Sequence, residues 1–176
     1  FLMRTRTEAM RALVYEAAFN LDLARAAQDE KERMEARGLA EFLLPVCKAC
    51  ASETGFEVAS LAVQVLGGHG YIADGGVEQY LRDSRVLAIY EGTSGIQALD
   101  LVTRKLLKDS GSRYHLFTDR IRQALELHGT ENGVDEIRRA LGEGLDRLDG
   151  CTEFLHQAGK RSAREVEAAA TDYLHL

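Results

Sequence analysis

The chain has 176 residues, a formal net charge of -6, 45% hydrophobic residues and 28% charged ones. That apolar share is enough for a buried core and excludes disorder as the main state, while the acidic balance and the lack of any long Lys/Arg run exclude a nucleic-acid partner. One proline and no tryptophan, beside abundant Ala, Leu, Glu and Arg, predict long helices with few breakers, a picture in which the 16 glycines stand out.

From Met3 to about Ala27, the residues Met3, Met10, Leu13, Val14, Ala17, Leu21 and Ala24 recur in steps of three and four, which predicts an amphipathic helix. Phe1 opens straight into this run with no initiator Met, so the chain is expected to be cut from something longer. The charged stretch Gln28 to Arg37 reads as a solvated connection or a frayed helix start. Apolar periodicity resumes at Leu39, Phe42, Leu43 and Val46, where a second helix is expected, with Pro45 kinking it or marking a new first turn. Beyond Pro45 the segment from Ala51 to Leu66 is apolar on nearly every face, which predicts burial on several sides. Cys47 and Cys50 form a C-x-x-C there. With Cys151 they read as reduced thiols buried in helices, because no second Cys or His pair stands at ligand spacing.

The pattern breaks at Gly67-Gly68-His69-Gly70-Tyr71 and again at Asp74-Gly75-Gly76. A short helix from Val77 to about Leu87 follows, then the turn Tyr90-Glu91-Gly92-Thr93-Ser94-Gly95, then a helix from Ile96 to Leu107. Lys108 to Arg113 is a linker by composition. Helical spacing returns at Tyr114, Phe117, Ile121 and Leu125, and at Val134, Ile137, Leu141, Leu145 and Leu148. A loop from His128 to Gly133 separates those two runs, and a last helix is expected from about Cys151 to Tyr173. The fold class is therefore all-α, an up-down bundle of the four-helix type over residues 1–107 followed by an accessory helical segment over 114–176. No apolar run reaches the roughly 20 residues that span a bilayer, and the amino terminus lacks the order of a signal peptide.

Two corners can hold chemistry. The bare glycines after Gln64-Val65-Leu66 let a ligand approach backbone N–H groups, although a helix C-cap uses glycine in the same place. In the second corner Glu91 can act as a general base if apolar surroundings raise its pKa, or it can be a solvated acid beside a helix start. Thr93 and Ser94 can cap the helix that follows, and its N-terminus, opened by Thr93, Ser94 and Gly95, suits a pyrophosphate.

Taken together, Q-V-L-G-G-H-G-Y (Gln64 to Tyr71), L-R-D-S-R (Leu81 to Arg85) and I-Y-E-G-T-S-G-I-Q (Ile89 to Gln97) closely resemble the carboxy-terminal helical domain of the acyl-CoA dehydrogenases, over residues 1–107. The resemblance implies an FAD enzyme that oxidises an acyl-CoA thioester to the trans-2-enoyl-CoA. Glu91 falls on the catalytic base, and its backbone N–H on the donor to the thioester carbonyl. Tyr90 and Gly92 fall on substrate-contacting positions. Gln64, Val65, Leu66, Gly67 and Gly68 match the stretch that touches the neighbouring subunit's FAD, and Thr93, Ser94 and Gly95 match another FAD-contacting stretch. Gly95 departs from the glutamine of many relatives, which leaves only a backbone contact there.

The T-S-G-I-Q-A-L-D-L-V form and the long helical tail are more similar to the extended subgroup that includes 3-methylmercaptopropionyl-CoA dehydrogenases. The likeness further implies an electron-transfer flavoprotein as acceptor, a homodimer or homotetramer built through the bundle, and a location in the bacterial cytoplasm or, in a eukaryote, the mitochondrial matrix. The family's amino-terminal and middle beta domains are missing, both ends of the chain are expected to be truncated, and the isolated piece is expected to be inactive. An acyl-CoA oxidase-like flavoenzyme and a non-catalytic helical assembly module are the alternatives. His69 lies in the first corner but takes no role, and His115, His128, His156 and His175 do not group, so no metal site is expected.

Overall fold

The computed structural model describes residues 1–127 and 135–176, and every regular element among them is helical. Helix α1 spans Leu2–Ala26, α2 Glu30–Leu66, α3 Gly68–Tyr71, α4 Val77–Leu87, α5 Ser94–Leu99, α6 Ser112–Leu127, α7 Asp135–Gly159 and α8 Ala163–Leu174. A 3-10 turn over Ala73–Gly75 precedes α4, and α5 runs on into a π-helical segment over Asp100–Leu107. The all-α expectation holds.

Helix α2 is the spine against which α1, α4, α5 and α6 pack. It starts earlier than its apolar residues suggest. Asp29 caps it by accepting from the Glu32 N–H at 2.9 Å, and Glu30 and Glu32 place negative charge in the first turn, where the helix dipole favours it. Of the two readings of the charged stretch, a connection or a helix start, the structure has the second from Glu30 onward, and its charges pair one turn apart, Lys31 with Glu35 and Arg37 with Glu41. Only Ala27 to Asp29 separate α1 from α2. Pro45 lies inside α2 without ending it. It removes one backbone donor, but its ring is fully buried between Phe42 and Ala49, themselves core residues, and that burial offsets the lost bond.

Beyond Ser52 the expected burial fails. The residues of α2 buried by this chain end at Ser52, and Val65 is 72% exposed. The far end of α2, with α3 and the start of α4, forms an apolar end that also exposes Leu66, Tyr71, Ile72 and Tyr80. The cause is simple. Among the described residues no element covers that end from outside.

The main core joins α2 (Phe42, Ala49), α5 (Ala98), the π segment (Leu101, Val102, Leu106), α6 (Tyr114), α7 (Leu155, Ala158) and α8 (Val166, Ala170, Tyr173, Leu174). The tail helices therefore share one core with residues 1–107. Phe42 meets Tyr114 edge-on at 6.4 Å between ring centroids and Phe117 at 5.4 Å. Buried hydroxyls are partnered. Tyr114 donates to Asp149, which also accepts from Arg122 at 2.6 Å, and the Thr152 and Tyr173 hydroxyls meet at 2.8 Å. The linker shrinks to the turn Lys108 to Gly111, latched by Arg113, which donates to Asp109 at 2.8 Å and to Glu41 at 2.9 Å. Burial pushes the Glu41 carboxyl up, but hydrogen bonds from Arg37 and Arg113 outweigh it and hold the group below its ordinary range.

The single last helix expected from Cys151 to Tyr173 is two helices. Cys151 lies within α7, which ends at Gly159, and α8 begins after Ser162, whose hydroxyl accepts from the Glu165 N–H at 3.4 Å. Ser162-Ala163-Arg164-Glu165 is the S-x-x-E pattern of a helix start, and it interrupts a periodicity that reads as continuous. The cysteines are half-buried rather than buried, and all three are free thiols. The loop expected from His128 to Gly133, and Val134 after it, lie outside the described residues. Among the described residues no helix is long and apolar enough to cross a membrane.

Burial, with Cys50 beside it, pushes the Cys47 thiol up to about 11, and burial pushes the Tyr173 hydroxyl up to about 12. These groups hold their protons more tightly folded than unfolded, so their stabilisation is complete below the ordinary values and is lost as pH rises through the folded ones. The urea midpoint of unfolding is expected to fall from about pH 9 upward. Tyr173→Phe is expected to flatten that fall while costing about 1 kcal/mol at neutral pH through the lost bond to Thr152. Urea titrations at several pH values check both.

Candidate functional site

The turn from Ala88 to Thr93 joins α4 to α5. The last turn of α4 closes with the Ile89 and Tyr90 N–H groups donating to the Val86 carbonyl at 2.9 and 3.1 Å. Two left-handed residues follow, Glu91 at φ 56° and Gly92 at φ 91°. Such a backbone costs a residue with a side chain on the order of 1 kcal/mol or more, so Glu91 stays there only if its surroundings hold it. The φ of Gly92 strains any residue with a side chain, and a Cβ there would also push aside the Gln97 side-chain nitrogen, which it would approach to 2.8 Å.

Two side chains hold the turn. Lys48, from the middle of α2, donates through Nζ to the Leu87 carbonyl at 2.7 Å and the Gly92 carbonyl at 3.0 Å, and the same ammonium lies 5.8 Å from the centre of the Tyr90 ring. From the other side Gln97 Nε2 donates to the Glu91 carbonyl at 3.1 Å. Three carbonyls of the turn are thus tied to α2 and α5. The Glu91 side chain is exposed in this chain, and among the described residues its backbone N–H has no acceptor.

The start of α5 departs from expectation. Thr93 occupies the cap position but makes no side-chain capping bond, and the Ser94 hydroxyl reaches sideways to the Glu53 carboxylate on α2. The carboxylate lies one turn beyond the buried Ala49, and a charged acceptor makes a stronger bond with a hydroxyl than a neutral one.

In the other corner α2 ends at Gly67, whose φ 58° and ψ -136° suit glycine alone. Gln64, Val65, Leu66, Gly67 and Gly68 are all exposed, and a Cβ on Gly67 or Gly68 would meet nothing within 4 Å. Gly70, by contrast, is buried against Val63, where a Cβ would come within 2.7 Å of the carbonyl oxygen. This close approach folds α3 back on α2. Between α2 and α4 runs an open groove with a volume of about 730 Å³, where the Arg82 and Arg85 guanidinium groups stand beside Phe56 and Tyr71. The two corners do not meet. Both lie on α2, with Gln64 about 16 Å beyond Glu53 along the axis.

His69 is exposed on α3, and no group of three potential metal ligands occurs among the described residues. Sequence reasoning missed Lys48, Glu53 and Gln97. A signal existed for the first. Lys48 is the lone charge in the apolar run from Phe42 to Ser52, and a cation there needs a partner.

Residues 1–107 match the family model described as acyl-CoA dehydrogenase, C-terminal domain. The chain is 43% identical over 155 residues to a 3-methylmercaptopropionyl-CoA dehydrogenase of Ruegeria pomeroyi, covering 83% of this chain and 26% of that protein. It is 34% identical over 116 residues to the broad-specificity linear acyl-CoA dehydrogenase FadE5 of Mycobacterium tuberculosis, covering 65% of this chain and 19% of that one. A solved structure titled "Bd2924 apo-form" shares the fold with a TM-score of 0.62 at 21% identity, over 98% of this chain and 30% of its own. The chain thus spans about a quarter of the length of the first of these relatives.

Lys48→Met keeps the length of the stem and removes the ammonium. Hydrogen exchange at the Ile89 and Tyr90 amides is expected to rise about tenfold, because charged hydrogen bonds of this kind are worth roughly 1.5–3 kcal/mol each. Gly92→Ala is expected to cost about 1–3 kcal/mol through its positive φ and the clash with Gln97, read from the urea midpoint.

Proposed function

Because the chain belongs to the acyl-CoA dehydrogenase family, we propose that it is the C-terminal portion of an FAD-dependent enzyme that oxidises an acyl-CoA thioester to the trans-2-enoyl-CoA, with Glu91 as the base. The observation behind this reading is the clamped turn. It fixes a carboxylate in a left-handed backbone and, at the same residue, leaves an N–H without an acceptor.

The chemistry requires both. An alpha C–H beside a thioester is a very weak acid, so the base must be desolvated when substrate binds, and the charge that develops on the carbonyl oxygen must be met by a donor already in place. In this chain Glu91 is exposed, so the desolvating surfaces must come from the substrate and the rest of the enzyme. Glu91 takes the alpha proton, its N–H donates to the thioester carbonyl, and Gly92 and Tyr90 bound the space for the acyl part. The FAD, when bound, supplies the acceptor for the beta hydride.

The residues present fit an edge of that cofactor. Gly67 and Gly68 leave open space where a side chain would stand, and Gln64 offers an exposed amide. Thr93, Ser94 and Gly95 would contact it at the other corner, Ser94 through its backbone because its hydroxyl is bonded to Glu53. A separation of about 16 Å between Glu53 and Gln64 along α2 agrees with two corners that serve cofactors of two subunits. The exposed apolar end of α2 and α4 supports assembly as a homodimer or homotetramer. An acyl-CoA substrate, an electron-transfer flavoprotein as acceptor and a bacterial cytoplasmic location complete the proposal.

In the full-length flavoprotein, Glu91→Gln is expected to abolish nearly all turnover of acyl-CoA while the flavin absorbance and melting temperature stay as they are. The purified 176-residue chain alone is expected to give no turnover with FAD supplied. Anaerobic flavin bleaching by an acyl-CoA series reads both, and undiminished bleaching by Glu91→Gln would overturn the assignment of the base.

A further inference from the structure

The tail reaches the candidate site through a chain of three side chains. Ser94, at the start of α5, donates its hydroxyl to the Glu53 carboxylate on α2. The other oxygen of that carboxylate lies 3.7 Å from Nε2 of His175, just past the end of α8. Each backbone is fixed by burial next door. Ser52 precedes Glu53 and is buried, Ala98 lies one turn after Ser94 and is fully buried, and Tyr173 and Leu174 before His175 are 5% and 6% exposed. Helix α8 also packs directly on α5. Side chains from α5 and from the residue after α8 thus converge on one carboxylate of α2.

We infer that His175 and Glu53 are positioning residues for the turn that holds Glu91, so that the tail, through α8, sets the geometry of the site. The inference rests on the proposed function for its catalytic consequence. Lys48 and Gln97 tie the turn at its carbonyls, but neither fixes where α5 starts. Glu53 does so through Ser94, and His175, whenever its imidazole is doubly protonated, holds Glu53 toward that hydroxyl by opposing its charge. Without the imidazolium the carboxylate keeps one partner fewer and can turn to solvent, since its side chain is about one-third exposed. Neither residue touches substrate in this reading. Their effect passes through Ser94 to the backbone of the turn.

The test uses the full-length enzyme with FAD bound and the variants His175→Gln, His175→Lys, Glu53→Gln and the double variant His175→Gln/Glu53→Gln. Hydrogen exchange of the peptide covering Ile89 to Gln97 is followed by mass spectrometry, with kcat and KM for an acyl-CoA measured alongside. An exposed ion pair of this kind changes an equilibrium by roughly two- to fivefold. Exchange in that peptide is expected to rise by this factor in His175→Gln and by at least as much in Glu53→Gln, with the double variant no faster than Glu53→Gln. His175→Lys, which places a permanent cation beside the carboxylate, is expected to give exchange no faster than the parent. The kcat is expected to fall with KM unchanged. Parent-like exchange in His175→Gln, multiplying effects in the double variant, or no rescue by lysine would overturn the inference. If the full-length protein oxidises no acyl-CoA, the proposed function fails, and the exchange data still decide whether the tail holds the turn.

Discussion

The ammonium of Lys48 under the turn is the interaction on which the site depends. Two consecutive residues at positive φ, one of them a glutamate, have no regular backbone pairing to keep them there, and the ammonium has donors enough to hold two carbonyls with charge-assisted bonds. A lysine can serve because α2 carries it at the edge of the buried face formed by Pro45 and Ala49, half-buried itself and within reach of the turn. The long helix thus fixes a cation, the cation fixes the turn, and the turn fixes a carboxylate and an N–H at a single residue.

Much of this was legible in the residues. Periodicity located α1, α4 and the middle of α2, and the two glycine-bearing motifs located both corners. The errors have physical causes. Charge alone left the stretch from Gln28 to Arg37 open between a connection and a helix start, and the spacing of its charges, paired one turn apart on a helix capped by Asp29, decides for the helix. The break between α7 and α8 was hidden because apolar residues continue in phase across Gly159, while the cap at Ser162 ends the helix regardless. The positioning residues were out of reach for a different reason. Glu53, Ser94 and His175 lie far apart in sequence and meet only through packing, so no local pattern marks them.

The tail is more than an appendage. Its buried residues Tyr114, Leu155, Val166 and Tyr173 fill the same core as Phe42, Val102 and Leu106, so the two stretches stabilise each other across the latch made by Arg113, Asp109 and Glu41. The first half of α7 behaves otherwise, with Ile137 and Leu141 exposed on it. Helical spacing predicted their common stripe correctly but could not show whether anything lies against it.

The uninterrupted course of α2 past Pro45 has a consequence for how this region can change over time. Because both corners sit on one rigid screw, their separation and relative orientation obey the same arithmetic, about 1.5 Å and 100° for each residue between them. Substitutions between Glu53 and Gln64 alter surfaces, but gaining or losing one residue there would swing Gly67 and Gly68 roughly a quarter of a turn away from their present direction while leaving the Glu91 turn where it is. The length of that stretch is therefore under tighter geometric constraint than its composition.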